Sequence, residues 1–523
     1  MVVSEHPLSS EVGAEIMRRG GNAIDAAAAV GFALAVVNPR AGNIGGGGFL
    51  VYRTAAGESF ALDYRETAPA AATRDMYLDS AGDLSDRSVL GALAAGVPGS
   101  VAGMYEMHRR FGRLPWRDVV APAIALARGH VLDSTRARAI RGADTLLARF
   151  PSSAVVFLPG GRPPAPGDTL RQPDLARTLE RIADRGADGF YRGETADLFV
   201  AEMRRSGGII TAEDLAGYRA IWREPTRSTY RGWQLIAMPP SSSGGVTLTE
   251  ILNILEGYRL PRFGTAALMH LEAEAMRRAF ADRNRFLGDP AFVQMPVDRL
   301  TSKVYAAELR RAIRRDRATP SAEMPTVVEG TETTHYSVVD SEGNAAAVTT
   351  TINGSFGCKL VVGGAGFMLN NEMDDFAAKP GSPNMYGLVQ GEANSIQPGK
   401  RMLSSMTPTV VLGPDGRLAL VLGAPGGSTI VTAVYHVISN VIDHGMSLAD
   451  AVYAPRIHHQ SLPDSISWEP NGITPEERLR LERLGHSLET RPRYIALINA
   501  IRVTPRGLEG VSDPRTRGGA VGF

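Results

Sequence analysis

A threonine hydroxyl opens an amide only when a base removes its proton, and one stretch of this chain offers a threonine that can carry its own base. Thr333-Thr-His-Tyr-Ser-Val-Val-Asp340 and Ala345-Ala-Ala-Val-Thr-Thr-Thr351 are two β-prone runs around Ser341-Glu-Gly-Asn344, a pattern that predicts a hairpin. With its turn centred near Glu342, antiparallel pairing sets Thr333 opposite Thr351, within one residue, so that two hydroxyls meet at the open end. A free α-amine has a pKa of about 8 and can accept a proton near neutrality, whereas an amide nitrogen cannot. Thr333 can therefore serve as a nucleophile only if the Glu332–Thr333 bond is cut, its own amine being the base and Thr351 orienting it. On pattern alone, a surface hairpin would place threonines at the same positions because they favour strands.

Other elements must present and support this hairpin. The stretch Ala318 to Thr333, with Pro320, Pro325, Gly330 and few bulky residues, reads as an exposed linker that offers the bond for cutting. From Ser100 to about Leu300 the pattern is mostly helical, as in Ala266 to Phe286, where Leu268, Leu271, Ala275, Ala279 and Phe286 recur at helical spacing. Gly20-Gly-Asn-Ala-Ile-Asp25 predicts a turn feeding a close-packed, buried helix that ends before Pro39. Gly45 to Gly48, leading into the apolar Phe49-Leu-Val-Tyr52, matches neither phosphate-binding fingerprint and reads as tight backbone packing.

Bulk properties narrow the function classes. The chain has 523 residues, 44% hydrophobic and 21% charged, enough for a large core in one compact body. Its net charge of +1 is spread evenly apart from a run at Arg310 to Arg317, which reads as a solvated helix face, so no nucleic-acid partner is expected. Cys358 is the only cysteine, which excludes an intrachain disulfide and a zinc site of paired cysteines. The N-terminus lacks the basic start and apolar core of a signal peptide. The apolar run Ala26 to Val37 falls well short of the roughly 20 residues that cross a bilayer. His-Glu-x-x-His and Gly-x-Ser-x-Gly motifs are absent. His270, His458 and His459 read as structural, since adjacent strand side chains diverge and no acidic partner is spaced for the pair. No metal or organic cofactor is expected.

Beyond these patterns, Thr333 to Asp340 resembles the small-subunit start of the γ-glutamyltransferases. The likeness runs from Gly20-Gly-Asn-Ala-Ile-Asp-Ala-Ala27 and Ala41-Gly-Asn-Ile-Gly-Gly-Gly-Gly-Phe49 to Ser512-Asp-Pro-Arg515. It implies an α/β (α+β) fold, the four-layer αββα sandwich of the N-terminal-nucleophile hydrolases. It also implies self-cleavage between Glu332 and Thr333 into a large subunit, 1–332, and a small catalytic subunit, 333–523, that stay together as one body. The implied chemistry is transfer of a γ-glutamyl group from a small-molecule donor, usually glutathione, to water or to an amino-acid or peptide amine. Relatives are commonly exported, so the resemblance implies a periplasmic or secreted protein if a signal has been trimmed.

The resemblance also assigns roles. Arg65, in Asp63-Tyr-Arg-Glu-Thr67, matches the arginine that holds the donor's α-carboxylate, and Ser404 and Ser405 match the serines that hydrogen-bond the same group. Glu372 and Asp375, with Asn353, match the contacts to the α-ammonium. Gly426 and Gly427 match the paired glycines whose N–H groups stabilise the tetrahedral oxyanion. Tyr386 lies in a Pro/Gly/Asn-rich loop that matches a lid with a tyrosine at the pocket rim. Taken alone, Arg65 would be a surface ion-pair partner and Glu372 to Asp375 a solvated acidic turn. One departure is the bulky, apolar run Arg493 to Ile501, which bears on local packing and acceptor access. The nearest rival is a glutaryl-type cephalosporin acylase of the same superfamily, whose substrate lacks an α-ammonium and would leave Glu372 and Asp375 unpaired. A relative acting on poly-γ-glutamate would need a more open pocket, and a binding protein that never matures would lack the amine base.

Overall fold

A computed structural model describes residues 1–321 and 333–522. Two antiparallel sheets stack face to face with helices outside each, giving the four layers αββα. In the first sheet the strand order is Gly519–Val521, Val2–Ser4, Thr334–Val339, Ala345–Thr351, Gly47–Arg53, Ser59–Asp63 and Ile221–Arg223. In the second it is Gly507–Ser512, Asn499–Thr504, Leu418–Gly423, Thr409–Leu412, Trp233–Ala237 and Thr226–Tyr230. Strands from both sides of the Glu332–Thr333 bond thus share each sheet, interleaved in the first and in two adjacent blocks in the second.

Strand alternation assigns the two faces of the first sheet. Tyr336 and Val338 join the helix Ala23–Val37 in one core, while Phe49, Val51 and Ala347 face the second sheet and share a core with the helices Gly244–Glu256 and Thr429–Ile442. All fifteen residues of Ala23–Val37 are buried. Its start is fixed by a capping box, in which Asn22 accepts from the Asp25 backbone and Asp25 accepts from that of Asn22. Gly31 lets this helix lie on the strand that follows Thr333, since a Cβ there would sit 2.8 Å from the Tyr336 hydroxyl. The four glycines 45–48 serve close approach, as predicted: side chains at Gly45, Gly46 and Gly48 would collide with the carbonyls of Met368, Thr351 and Thr349.

The hairpin register is the predicted one. Ala345 pairs with Val339 and Thr350 with Thr334. Asp340 closes the turn by accepting from the backbone N–H groups of Glu342 (3.0 Å) and Asn344 (2.9 Å). The linker expectation needs correction at its first residues. Ala318 is buried and donates to the Leu484 carbonyl, Thr319 donates to Glu274, and the Ser321 N–H to Asp464. The start of that stretch is docked because Thr319 and Ser321 donate to the buried Glu274 and the half-buried Asp464. The rest of it, Glu332 included, lies outside the described residues.

The histidines are structural, with one correction. His270 contacts His486 and the Arg314 carbonyl, and His458 contacts Thr432 and Gln460. His459 does have an acidic partner, Asp464, at 3.2 Å, because the chain turns back after it. Among the described residues no group of three or more His, Cys, Asp or Glu side chains could hold a metal ion, and no helix is long and apolar enough to cross a membrane.

Candidate active site

The open end of the hairpin faces a cavity of about 310 Å³. Thr333, Thr351, Asn353, Arg65, Glu372, Asp375, Tyr386, Ser404, Ser405 and Gly427 all line it. Gly426 is the one sequence-named residue among the described ones that does not, although it adjoins Gly427. The cavity also takes in Arg283, Leu388, Leu403, Met406, Ser428 and Ile430, which sequence reasoning missed.

Thr333 is 4% exposed and lies one place beyond the last paired residues of the hairpin, so continuation of the register sets it opposite Thr351. The Thr351 hydroxyl accepts from the Asn353 N–H at 2.7 Å. That bond holds Asn353 at a φ of 69°, a left-handed conformation that asparagine tolerates, and its side-chain amide donates to the Asn371 carbonyl at 2.9 Å. Among the described residues lining the cavity there is neither a histidine nor a lysine. His335, two places from Thr333, faces the second sheet, hydrogen-bonded to Thr349 (2.8 Å) and Ser337 (3.1 Å). Burial pushes its pKa down to about 3 and keeps it neutral.

Arg65 follows the strand Ser59–Asp63 and is fully buried. Its Nη1 donates to Glu372 and its Nη2 to Asp375, both on a single turn of 3₁₀ helix, while Nε donates to the Met402 carbonyl at 3.3 Å. Each Nη still has a second N–H, so the guanidinium can keep both carboxylates and also meet an anion in the cavity. Burial opposes the charge on Arg65, but Glu372, Asp375 and Glu66 together hold its pKa above the ordinary arginine range. Burial raises the pKa of Glu372 and of Asp375, with Arg65 pulling both back.

Glu66 was not foreseen. It is fully buried, sits 3.6 Å from Nη1 of Arg65, and neither of its carboxyl oxygens finds a hydrogen bond. Burial pushes its pKa up to about 7, against the pull of Arg65. A carboxyl raised in the folded state contributes stability that is full below its unfolded pKa and is lost as pH rises through the folded value. Glu66→Gln removes this loss. The variant is expected to gain melting temperature relative to the parent on going from pH 5 to pH 8, and a difference that does not change with pH would refute the assignment.

The two serines are poised as donors. The Ser404 Oγ accepts from the Met406 N–H at 3.1 Å, and the Ser405 Oγ accepts from Nη2 of Arg283 at 3.1 Å. Both partners can only donate, so each hydroxyl proton is left for another acceptor. On the opposite wall, Gly426 and Gly427 turn at φ 143° and 58° into the N-terminus of the helix Thr429–Ile442. Their N–H groups donate to no acceptor among the described residues. The bulky C-terminal run supports this turn: the Leu497 N–H donates to the Pro425 carbonyl at 3.2 Å, and Ala496 packs on Gly426.

The loop that carries Tyr386 is tied to the acidic turn. The Met385 N–H donates to Asp374 at 3.0 Å, and the Gln390 side chain donates to the Asp375 carbonyl at 3.0 Å. Tyr386 is 4% exposed, inside the cavity wall and not at an open rim, because Gln460 holds its carbonyl at 3.1 Å.

This chain is similar to several known proteins. The family model described as gamma-glutamyltranspeptidase matches residues 9–523. The glutathione hydrolase proenzyme of Escherichia coli (strain K12) is 46% identical over 526 residues, covering 99% of this chain and 90% of that one. A crystal structure of a cephalosporin acylase from Bacillus halodurans superposes with a TM-score of 0.88 at 29% identity, covering 99% of this chain and 94% of that one. A structure of Helicobacter pylori gamma-glutamyltranspeptidase gives a TM-score of 0.60 at 46% identity, covering 61% of this chain and 92% of that chain.

Proposed function

Since the chain belongs to the gamma-glutamyltranspeptidase family, we propose that it is a glutathione hydrolase and γ-glutamyltransferase that matures by cutting itself at the Glu332–Thr333 bond. The freed amine of Thr333 takes the hydroxyl proton and the oxygen attacks the donor's γ-carbonyl. The N–H groups of Gly426 and Gly427 hold the oxyanion, a contribution of about 2.7–4 kcal/mol per donor in the transition state. Collapse expels the amine leaving group, protonated by the Thr333 ammonium, and leaves a γ-glutamyl ester on Thr333. Water, or an amino-acid or peptide amine, then takes the group by the reverse proton path. Thr351 orients Thr333 throughout. The two halves, 1–332 and 333–523, stay together because separating them would tear strands from both sheets.

The observation that carries this reading is one cavity that joins Thr333 to a complete zwitterion cradle. Arg65, Ser404 and Ser405 offer N–H and O–H donors to an α-carboxylate, while Glu372, Asp375 and Asn353 offer acceptors to an α-ammonium. The absence of histidine and lysine from the described lining suits an α-amine as the base. The likeness to a cephalosporin acylase supports a second reading, removal of a glutaryl side chain. Arg65 already pairs with Glu372 and Asp375, which corrects the expectation that a glutaryl group would leave both carboxylates unpaired. Lacking the ammonium, such a group would leave only Oε2 of Glu372 without a hydrogen bond among the described residues, and a buried acceptor left unpaired costs about 1–3 kcal/mol. The mature protein is therefore expected to turn over a glutaryl amide about 10- to 100-fold less efficiently than the matched γ-glutamyl amide. Release of glutamate from glutathione, with a mass shift of one γ-glutamyl group on the fragment starting at Thr333, is the direct test. Equal turnover of the two amides would favour the acylase reading.

A further inference from the structure

Arg283 is the least explained charge in the cavity wall. It belongs to the last turn of the helix Ala266–Phe286, is 1% exposed, and borders the same cavity as Thr333. Every other buried arginine of the site has a carboxylate partner: Arg65 pairs with Glu372 and Asp375, and Arg401 with Asp63. Arg283 has none within 4 Å among the described residues, and its partners are all neutral oxygens. Nε donates to the Ser243 hydroxyl and Nη2 to the Ser405 hydroxyl, each at 3.1 Å. Nη1 donates to Asn284 (2.9 Å) and Gln390 (3.1 Å). Asp375 acts on Arg283 only through space, from beyond 4 Å. Taking a cation out of water without a contacting ion pair is costly, so an anion entering the cavity beside Arg283 would supply the contact it lacks.

The contacts also fix the geometry of the serine pair. Ser243 accepts from Arg283 and its hydroxyl donates to the Ser404 carbonyl at 2.7 Å, which pins the Ser404 backbone. Ser405 accepts from Arg283 directly, so its proton must turn elsewhere. Gln390, at the end of the lid loop, accepts from Arg283 and donates to the Asp375 carbonyl, so the same guanidinium touches the lid base. We propose that Arg283 is a positioning residue for the α-carboxylate of the donor: it orients Ser404 and Ser405 as hydroxyl donors and makes that end of the cavity select an anion. This rests on the γ-glutamyl reading above and adds to it a second cation, distinct from Arg65.

The test uses the mature protein, a γ-glutamyl anilide, and the same anilide with its α-carboxylate converted to a carboxamide. The parent protein must prefer the carboxylate donor; if it does not, the γ-glutamyl reading itself fails. Arg283→Gln is expected to raise KM for the carboxylate donor about 10-fold or more, with kcat changed less than about 3-fold. Turnover of the carboxamide donor should change little, so the preference collapses. Arg283→Lys keeps the charge but loses the fork to Ser243 and Ser405, and should restore part of the preference. Equal losses on both donors would make Arg283 a structural residue and overturn the proposal. Should Arg283→Gln fail to mature, Arg283→Lys and Ser243→Ala decide on the same ratio, since each weakens one part of the clamp. A ratio unchanged from the parent in both would also overturn it.

Discussion

Thr333→Ala is expected to yield a single uncut chain of 55.8 kDa with kcat/KM lowered by about 10⁴-fold or more, the largest effect of any single substitution. On the proposed mechanism, alanine removes the atom that attacks both the Glu332 carbonyl and the donor, and an uncut chain never exposes the amine. The two losses separate in Thr333→Ser. A serine at the same backbone position keeps both hydroxyl and amine, so cutting should proceed and activity should return in part. Intact mass and a denaturing gel read the first step, and donor turnover reads the second. A parent protein found uncut but active would remove the amine base from the mechanism. In the mature protein, kcat/KM should climb with pH as the Thr333 ammonium loses its proton, because only the free amine can accept the hydroxyl proton.

The hairpin was legible because its signals are local. Two β-prone runs and a Gly/Asn turn fix both the strands and the register, and the register alone carries Thr333 to Thr351. The helix Ala23–Val37 was legible for the same reason, through a glycine turn and an Ala- and Val-rich apolar run that ends before Pro39. The pocket was not legible in this way. Arg65, Glu372, Asp375 and Ser405 come from distant segments, and each has the local appearance of a surface residue. Only the order of long motifs along the chain pointed to their meeting. Arg283 lies outside those motifs and is not one of the apolar positions that mark the inner face of its helix, so nothing local marks it as buried. Glu66 escaped notice because adjacency to Arg65 in sequence does not reveal that both side chains turn inwards to share one buried site. The Asp464 partner of His459 was missed because pairing five residues apart depends on a loop turning back, which strand spacing cannot express.

Arg65 should be the second most sensitive residue, for a reason that reaches beyond its contact with a donor. Three carboxyl groups, those of Glu66, Glu372 and Asp375, surround this one guanidinium, and only Asp375 keeps some exposure, 13% of its side chain. Arg65→Met leaves them facing each other, and breaking a buried ion pair in this way costs about 3–5 kcal/mol. The carboxyls would respond by holding protons, since like charges and burial both raise their pKa. Groups raised in the folded state lose their stabilising contribution as pH rises through the folded values. The deficit of Arg65→Met against the parent should therefore be larger at pH 8 than at pH 5, and denaturant melts at the two pH values would read it. Adding Glu66→Gln removes one of the three charges and should recover part of the stability at pH 8, with little gain at pH 5. Activity should not follow that recovery: without the guanidinium, kcat/KM for a γ-glutamyl donor should stay about 10³-fold down, because truncating one partner of a buried charged contact costs 2–5 kcal/mol or more. Arg65→Lys tests geometry separately, as an ammonium can balance the charge yet cannot span Glu372 and Asp375 as a planar fork. A deficit independent of pH, or activity that returns along with stability in the double variant, would mean that Arg65 serves the fold alone and that the donor's carboxylate is held elsewhere.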